Sequence, residues 1–252
     1  MNQLELENPV RANTRSNKQA VLFVSVLASF LSTLMMSGLN VALPAIQKDL
    51  SLSSVMLSWV PTSYLLTSAI VLLPGGRLAD IIGRRFIYLT GNLLFALGSL
   101  GCGLAADAHW LFAARAMQGV GGALTMSTGM AILTSVYPPE ERGSAIGWTV
   151  AAVYIGLSAG PTLGGVITEH IGWRAIFLLN VPVSLLIFFA AIIAFKEKWA
   201  DARGQRFDLK GSFVYGLGLV MFMMSPSRLP SVAGWTLFIS GSIVLAFFVY
   251  LQ

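Results

Sequence analysis

Apolar runs of about 20 residues recur along this chain between short charged or Pro/Gly-rich breaks, and this is the feature that most restricts its folding. An α-helix needs ~20 apolar residues to cross ~30 Å of hydrocarbon. In lipid each backbone amide must find its partner within its own segment, so runs of this length are helices; a barrel would need shorter, alternating strands. Apolar residues make up 56% of the 252 positions and charged residues 11%, where a soluble domain carries roughly a quarter charged. The chain is therefore read as an all-α, polytopic membrane protein with the lipid bilayer as its main surroundings.

The runs predict about eight transmembrane helices, at Val21 to Leu43, Leu57 to Gly76, Ile87 to Ala106, Trp110 to Val136, Ala145 to Ile167, Ala175 to Phe195, Gly211 to Ser227 and Val232 to Gln252. The seventh is short and interrupted by Pro226. Ahead of them, residues 1–19 form a polar leader with Arg11, Arg15 and Lys18; the run that follows is too long for a signal peptide and is read as an uncleaved first span. One long polar break, residues 196–210, divides a six-span bundle (20–195) from an extra helix pair (211–252) and is read as a linker.

Placing the amino terminus inside puts Arg11, Arg15, Lys18, Arg77, Arg84, Arg85, Arg142, Lys196, Lys198, Arg203, Arg206 and Lys210 on the cytoplasmic side, and only Lys48, Arg174 and Arg228 outside. This bias predicts that both termini are cytoplasmic. It also accounts for the +5 net charge, so basic residues confined to short loops give no reason to expect nucleic acid as a partner. Cys102 is the single cysteine, and His109 and His170 lack a second ligand at metal-binding spacing. No metal, phosphate-binding loop or nucleophile–base cluster is expected, and so neither an enzyme nor direct use of ATP.

Three segments carry more specific information. Between spans two and three stands Gly76-Arg77-Leu78-Ala79-Asp80-Ile81-Ile82-Gly83-Arg84-Arg85. Its glycines allow a tight turn, and Asp80 and Arg84 can pair if the turn is helical. Span four holds Arg115, with Gln118 one turn further on the same face and Gly119, Gly121 and Gly122 behind it. An arginine in mid-bilayer costs ~3 kcal/mol, so Arg115 either snorkels to the interface or has a task in the interior. Span five carries Gly156, Gly160 and Gly164 every fourth residue, a stripe on which another helix can pack closely, with Pro161 removing a backbone hydrogen bond and kinking the helix, and Gly165 at its end.

Together these segments resemble the hallmark loop, the fourth-span motif and the antiporter motif of the major facilitator superfamily. Asn40-Val41-Ala42-Leu43-Pro44, together with Trp59 and Tyr64, is similar to the fourteen-span drug:proton antiporters of that superfamily, and Asp208 and Gly211 fit the start of the helix pair those proteins insert between their halves. The resemblance implies an amino-terminal six-helix bundle plus two extra helices. It gives Gly76, Asp80, Gly83, Arg84 and Arg85 a role in cytoplasmic gating, Arg115, Gln118 and Gly119 one in proton coupling, Gly156, Gly160, Pro161, Gly164 and Gly165 one in helix packing, and makes Asn40, Trp59 and Tyr64 candidates for the substrate pocket. It further implies residence in a bacterial inner membrane and no cofactor beyond a proton gradient. The partners it implies are protons, a small organic substrate and a carboxy-terminal half or second chain.

Two departures accompany the resemblance. Where the family usually has an aspartate in span one, alignment on Asn40 to Pro44 gives Met35, and all the acids, Glu5, Glu7, Asp49, Asp80, Asp107, Glu140, Glu141, Glu169, Glu197, Asp201 and Asp208, fall in loops or at span ends. The carboxy-terminal six-span half of the family is absent from the sequence, so a fragment, a truncated product or a half that assembles with another chain is expected. The leading expectation is export of amphipathic, often cationic, organic compounds against proton entry. Transport of one specific metabolite, and a non-transporting remnant or partner subunit, stay open.

Overall fold

The computed structural model describes residues 9–196, 199–202, 204–228 and 230–251, with side chains within 18–250 except at a few of these positions. The fold is built from helices α1 (Pro9–Asp49), α2 (Ser54–Ile82), α3 (Arg84–Gly103), α4 (Ala108–Val136), α5 (Pro139–His170), α6 (Arg174–Ala194), α7 (Leu209–Met224) and α8 (Val232–Leu251), with a short 3-10 turn at Pro226–Arg228. No strand occurs among the described residues.

Local chemistry sets several helix starts. Ser53 and Asp107 accept backbone N–H bonds from Met56 (3.3 Å) and Trp110 (2.9 Å), and Asp208 accepts one from Gly211 (2.9 Å). These caps satisfy amides that the first helical turn leaves free. Pro139, whose missing N–H costs nothing at a first helical position, opens α5.

Among the described residues, seven helices are long and apolar enough to cross a membrane. The exception is α7, whose 16 residues reach ~24 Å at 1.5 Å per residue, short of the ~30 Å hydrocarbon layer. Pro226 ends its apolar run by opening the 3-10 turn. Several helices outrun their apolar runs: α1 is helical from Pro9, inside the polar leader, and α2 continues to Ile82, so the loop expected between the second and third spans is Gly83 alone.

In the bundle α1 lies along α5 and α2 along α4, while α3 packs against α4 and α6, and α6 also against α1. The pairs α1/α5 and α2/α4 touch each other far less than the helices within each pair do, chiefly through α1 and α4, and a cleft lies between them with residues of α3 and α6 at its floor. Helices α7 and α8 form a hairpin attached to α2. There the Tyr215 hydroxyl donates to the Ala69 carbonyl (3.1 Å), and Gly216 sits beside Ile70. Charged residues join the elements at the two ends of the bundle. At one end Lys18 pairs with Glu141 (3.1 Å); at the other Arg174 pairs with Asp49 (2.6 Å) and donates to the Ala105 carbonyl (2.8 Å).

The α1/α5 contact is backbone against backbone. A Cβ on Gly156 would lie 2.8 Å from the Phe30 carbonyl oxygen, one on Gly160 2.9 Å from that of Leu34, and one on Gly164 2.6 Å from that of Gly38. Gly38, on α1, is the reciprocal of the stripe: its own Cβ would come within 3.1 Å of the Gly160 oxygen. Pro161 has no N–H to give the carbonyl four residues back, that of Leu157. Ser37 of α1 supplies the bond instead, its hydroxyl donating to that carbonyl at 2.9 Å.

The contrast between adjacent glycines gives a test. Gly164→Ala is expected to destabilise the protein by about 1–3 kcal/mol through overpacking, whereas Gly165→Ala, whose Cβ would meet only Val41 Cγ1 at 3.6 Å, leaves the unfolding midpoint in detergent unchanged. Equal midpoints for the two variants would refute backbone contact at Gly164.

Candidate functional site

The cleft between the helix pairs encloses a cavity of about 660 Å³. Its walls are Ser29, Ser32, Thr33 and Met36 of α1, Tyr64, Ser68 and Leu72 of α2, Gly122, Met126 and Met130 of α4, and Thr149 and Val153 of α5. Its floor includes Tyr88, Asn92 and Phe95 of α3 with Ser184 and Ile187 of α6. Hydroxyls, thioethers and aliphatic groups dominate, and no charged side chain among the described residues lines it. Such a surface suits a mostly apolar organic molecule bearing a few hydrogen-bonding groups.

Behind one wall stands Arg115, 1% exposed. It is seven residues inside α4, some 10 Å along the helix, and does not reach the surface. Its Nε donates to the Val60 carbonyl (3.0 Å) and its Nη1 to Gln118 Oε1 (2.5 Å). The guanidinium lies 4.5 Å from the centre of the Tyr64 ring and 5.9 Å from that of Phe177, close enough for cation–π attraction. Gln118 passes the network on, donating through Nε2 to Ser99 Oγ (2.7 Å) and contacting Met35 Sδ (3.1 Å). Ser99 in turn donates to the Phe95 carbonyl (2.8 Å). The charge is thus held by a carbonyl, an amide and two rings, and no carboxylate among the described residues joins it. Met35, the residue found where an aspartate was expected, is in direct contact with this network.

Three glycines let the elements around Arg115 close up. A Cβ on Gly119 would meet the Tyr64 carbonyl oxygen at 2.5 Å, one on Gly98 the Gln118 nitrogen at 2.7 Å, and one on Gly122 the Tyr64 hydroxyl at 2.7 Å. Of the three pocket candidates, Tyr64 borders the cavity on one side and Arg115 on the other. Asn40 is exposed and Trp59 half-buried, and neither lines the cavity.

A second constellation sits at the α2–α3 junction. Gly83, with φ +126°, makes the break that a residue with a Cβ rarely adopts, and its N–H closes α2 on the Ala79 carbonyl (2.8 Å). Across this break Arg84 pairs with Asp80 (2.8 Å) and donates to Ser135 Oγ (2.8 Å) at the end of α4. It also meets Asp201 of the linker (2.6 Å). Arg85 donates to the Ile192 carbonyl (3.1 Å), and Gly76 lies in α2 beside Ser127. The linker is fixed to the junction by its backbone as well: the Ala202 N–H donates to the Asp80 carbonyl (2.9 Å), the Arg84 N–H to the Trp199 carbonyl (3.1 Å), and Arg77 to the Gln205 side chain. The pairing of Asp80 with Arg84 was foreseen from their spacing; the involvement of Asp201, Ser135 and Ala202 was not, because nothing local in sequence marks partners so far along the chain. The floor residues Tyr88 and Asn92 did carry a signal, two polar side chains four residues apart inside an apolar run.

The sequence from residue 25 to 252 matches the Major Facilitator Superfamily. The chain belongs to this superfamily. Among its relatives, the riboflavin transporter RibZ of Clostridioides difficile is 33% identical over 208 residues, covering 82% of this chain and 46% of that protein. The multidrug resistance protein Stp of Mycobacterium tuberculosis is 38% identical over 198 residues, 78% of this chain and 36% of its own length. The putative multidrug resistance protein MdtD of Salmonella paratyphi B is 34% identical over 223 residues, 88% of this chain and 47% of its own. The chain thus spans less than half the length of these relatives. As a superfamily member with seven membrane-length helices among its described residues, it is a multi-pass membrane protein.

The linker contacts yield a prediction. An ion pair as exposed as Arg84–Asp201 is worth no more than about 1 kcal/mol, and the backbone bonds remain without it. Asp201→Asn is accordingly expected to raise the rate of limited proteolysis between residues 199 and 208 by about fivefold at most. Removing the Arg84 side chain with Arg84→Ala, which also loses its bonds to Asp80 and Ser135, should raise it further; identical cleavage rates in all three proteins would show that the side chain of Arg84 does not hold the linker.

Proposed function

We propose that the chain works, as part of a full-length exporter, in secondary active efflux of amphipathic drugs or other toxic organic compounds, driven by proton entry. The observation that carries this reading is the 660 Å³ cavity between the α1/α5 and α2/α4 pairs, uncharged on its surface and backed by the buried Arg115. A site for many amphipathic molecules needs apolar area, adaptable side chains such as Met36, Met126 and Met130, and few fixed polar demands. The multidrug resistance relatives agree with this reading. The riboflavin transporter among the relatives favours a second one, transport of a single metabolite.

In this mechanism Arg115 does not carry the proton, since a guanidinium keeps its charge under all working conditions. It acts as a fixed positive charge. It lowers the proton affinity of any acid that approaches the Tyr64 side of the cavity, and so favours proton release in whichever state brings such an acid near. The junction of Asp80, Gly83 and Arg84 serves as the gate at one end of the bundle, where α2, α3, α4 and the linker meet on one side chain. The rigid α1/α5 seam keeps the bundle one body while it rocks against the rest of the exporter.

The test is efflux by the protein as encoded at its own locus, followed with and without a proton gradient over a panel of substrates. Arg115→Ala should abolish gradient-driven efflux while the protein still inserts in the membrane, and Arg115→Lys should restore part of it by returning the charge without the planar stacking. Normal efflux by Arg115→Ala would remove Arg115 from coupling. Transport of one strong substrate alone would favour the metabolite reading.

A further inference from the structure

Helix α2 ends and α3 begins at a single residue, Gly83, so the angle between the two helices is set there. Such a break leaves the last carbonyls of one helix and the first amides of the next without helical partners. One turn of the linker supplies a partner on each side. The Trp199 carbonyl accepts from the Arg84 N–H (3.1 Å), the first of α3, and the Ala202 N–H donates to the Asp80 carbonyl (2.9 Å) in the last turn of α2. Side chains repeat the arrangement: Arg77, on the α2 side, donates to Gln205, and Arg84, on the α3 side, pairs with Asp201 (2.6 Å). Ala202, whose N–H makes one of the backbone bonds, is 6% exposed. The same short stretch of chain is thus tied to both arms of one hinge.

A strap fixed on both sides of a hinge resists bending at it, because a change of angle at Gly83 pulls at least one of the two backbone bonds out of range. The closed strap is not itself relaxed. Trp199 has φ +38°, a conformation that a bulky residue rarely adopts and that is found where a segment has two arrangements to choose between. Its carbonyl is held by Arg84, and its ring stands edge-on to Phe195 with centroids 6.1 Å apart. The side-chain ties that offset this strain are exposed ones, which water can replace. We propose that residues 199–202, with Gln205, form a strap that locks the angle between α2 and α3 and lifts whenever that angle changes. The hinge joins a wall of the cavity, with Tyr64, Ser68 and Leu72 of α2, to its floor, with Tyr88, Asn92 and Phe95 of α3. The last step rests on reading the cavity as a transport site: a cycle that reshapes the cavity by turning wall against floor has to lift the strap.

Thiol labelling reads the strap directly, since the single cysteine of the chain, Cys102, is buried. Ala202→Cys places a thiol that the closed strap protects, and Arg206→Cys places one on an exposed part of the linker. With the full chain in nanodiscs, a charged maleimide is expected to modify position 202 about tenfold more slowly than position 206. Adding Arg84→Ala should raise the rate at 202 about fivefold and leave that at 206 unchanged. Equal rates at 202 and 206 in the parent would mean that the strap is not closed, and a rate at 202 indifferent to Arg84→Ala would mean that hinge and strap are not linked; either result overturns the proposal. The second measurement holds the strap shut. In Arg77→Cys/Gln205→Cys, at two exposed positions whose native side chains meet, a short bis-methanethiosulfonate crosslinker ties the linker to α2, and reduction releases it. Efflux by this variant at the protein's own locus is expected to fall about tenfold on crosslinking and to return on reduction. Undiminished efflux with the crosslink formed would overturn the lock and leave the exporter reading intact. Absence of efflux from the parent protein would count against the exporter, and the maleimide rates would still decide the strap.

Discussion

Inside hydrocarbon, no water is present to satisfy a polar group, and leaving one unpaired costs several kcal/mol. Most of this architecture follows from meeting that demand. The proline in α5 would strand the Leu157 carbonyl, and Ser37 of α1 reaches across to bond it. That bond requires the two helices to approach to backbone contact, and the approach requires Gly156, Gly160 and Gly164 facing Gly38. Threonines and serines elsewhere turn back on their own helices: Thr33, Thr67, Thr128 and Thr149 donate to carbonyls three or four residues earlier. The polar residues of the bundle are thereby consumed locally, and those not consumed stand out.

Arg115 is the hardest case of the same constraint. An uncompensated buried charge is costly, and pairing it with a carboxylate would leave a neutral dipole with little reach. This chain takes a third course and surrounds the guanidinium with neutral acceptors and ring faces. Val60, Gln118, Tyr64 and Phe177 together stabilise it while leaving its charge in place. Gln118 is held by Ser99, which fixes the direction of its amide. The network therefore behaves as a rigid source of positive potential set into the wall between α2 and α4.

The sequence made the helices legible because hydrophobic length, capping residues and prolines act over a few positions. The 16 residues of α7 and the break at Pro226 were visible for the same reason. Orientation about the helix axis was less accessible. Asn40, Trp59 and Tyr64 were pocket candidates through the resemblance to the drug:proton antiporters, and of the three only Tyr64 lines the cavity. Which face a residue occupies depends on how α1 and α2 are rotated by their partners, and that is decided by glycine contacts with α5 and α4. The stripe in α5 pointed to close packing but not to Gly38 as its counterpart. In the same way Asp80 and Arg84 were a visible pair, whereas Asp201 joins them from 117 positions away. Met35 was legible only as a departure, an apolar residue at the place of an acid, and its contact with Gln118 explains why that departure bears on the buried charge.

An aspartate at position 35 would cancel most of the positive potential of Arg115. Met35 leaves the potential standing. The thioether fills the space beside Gln118, keeps the amide oriented toward Arg115, and carries no charge of its own. Met35 thus leaves the buried guanidinium facing neutral partners on α1 as it does on α2 and α4.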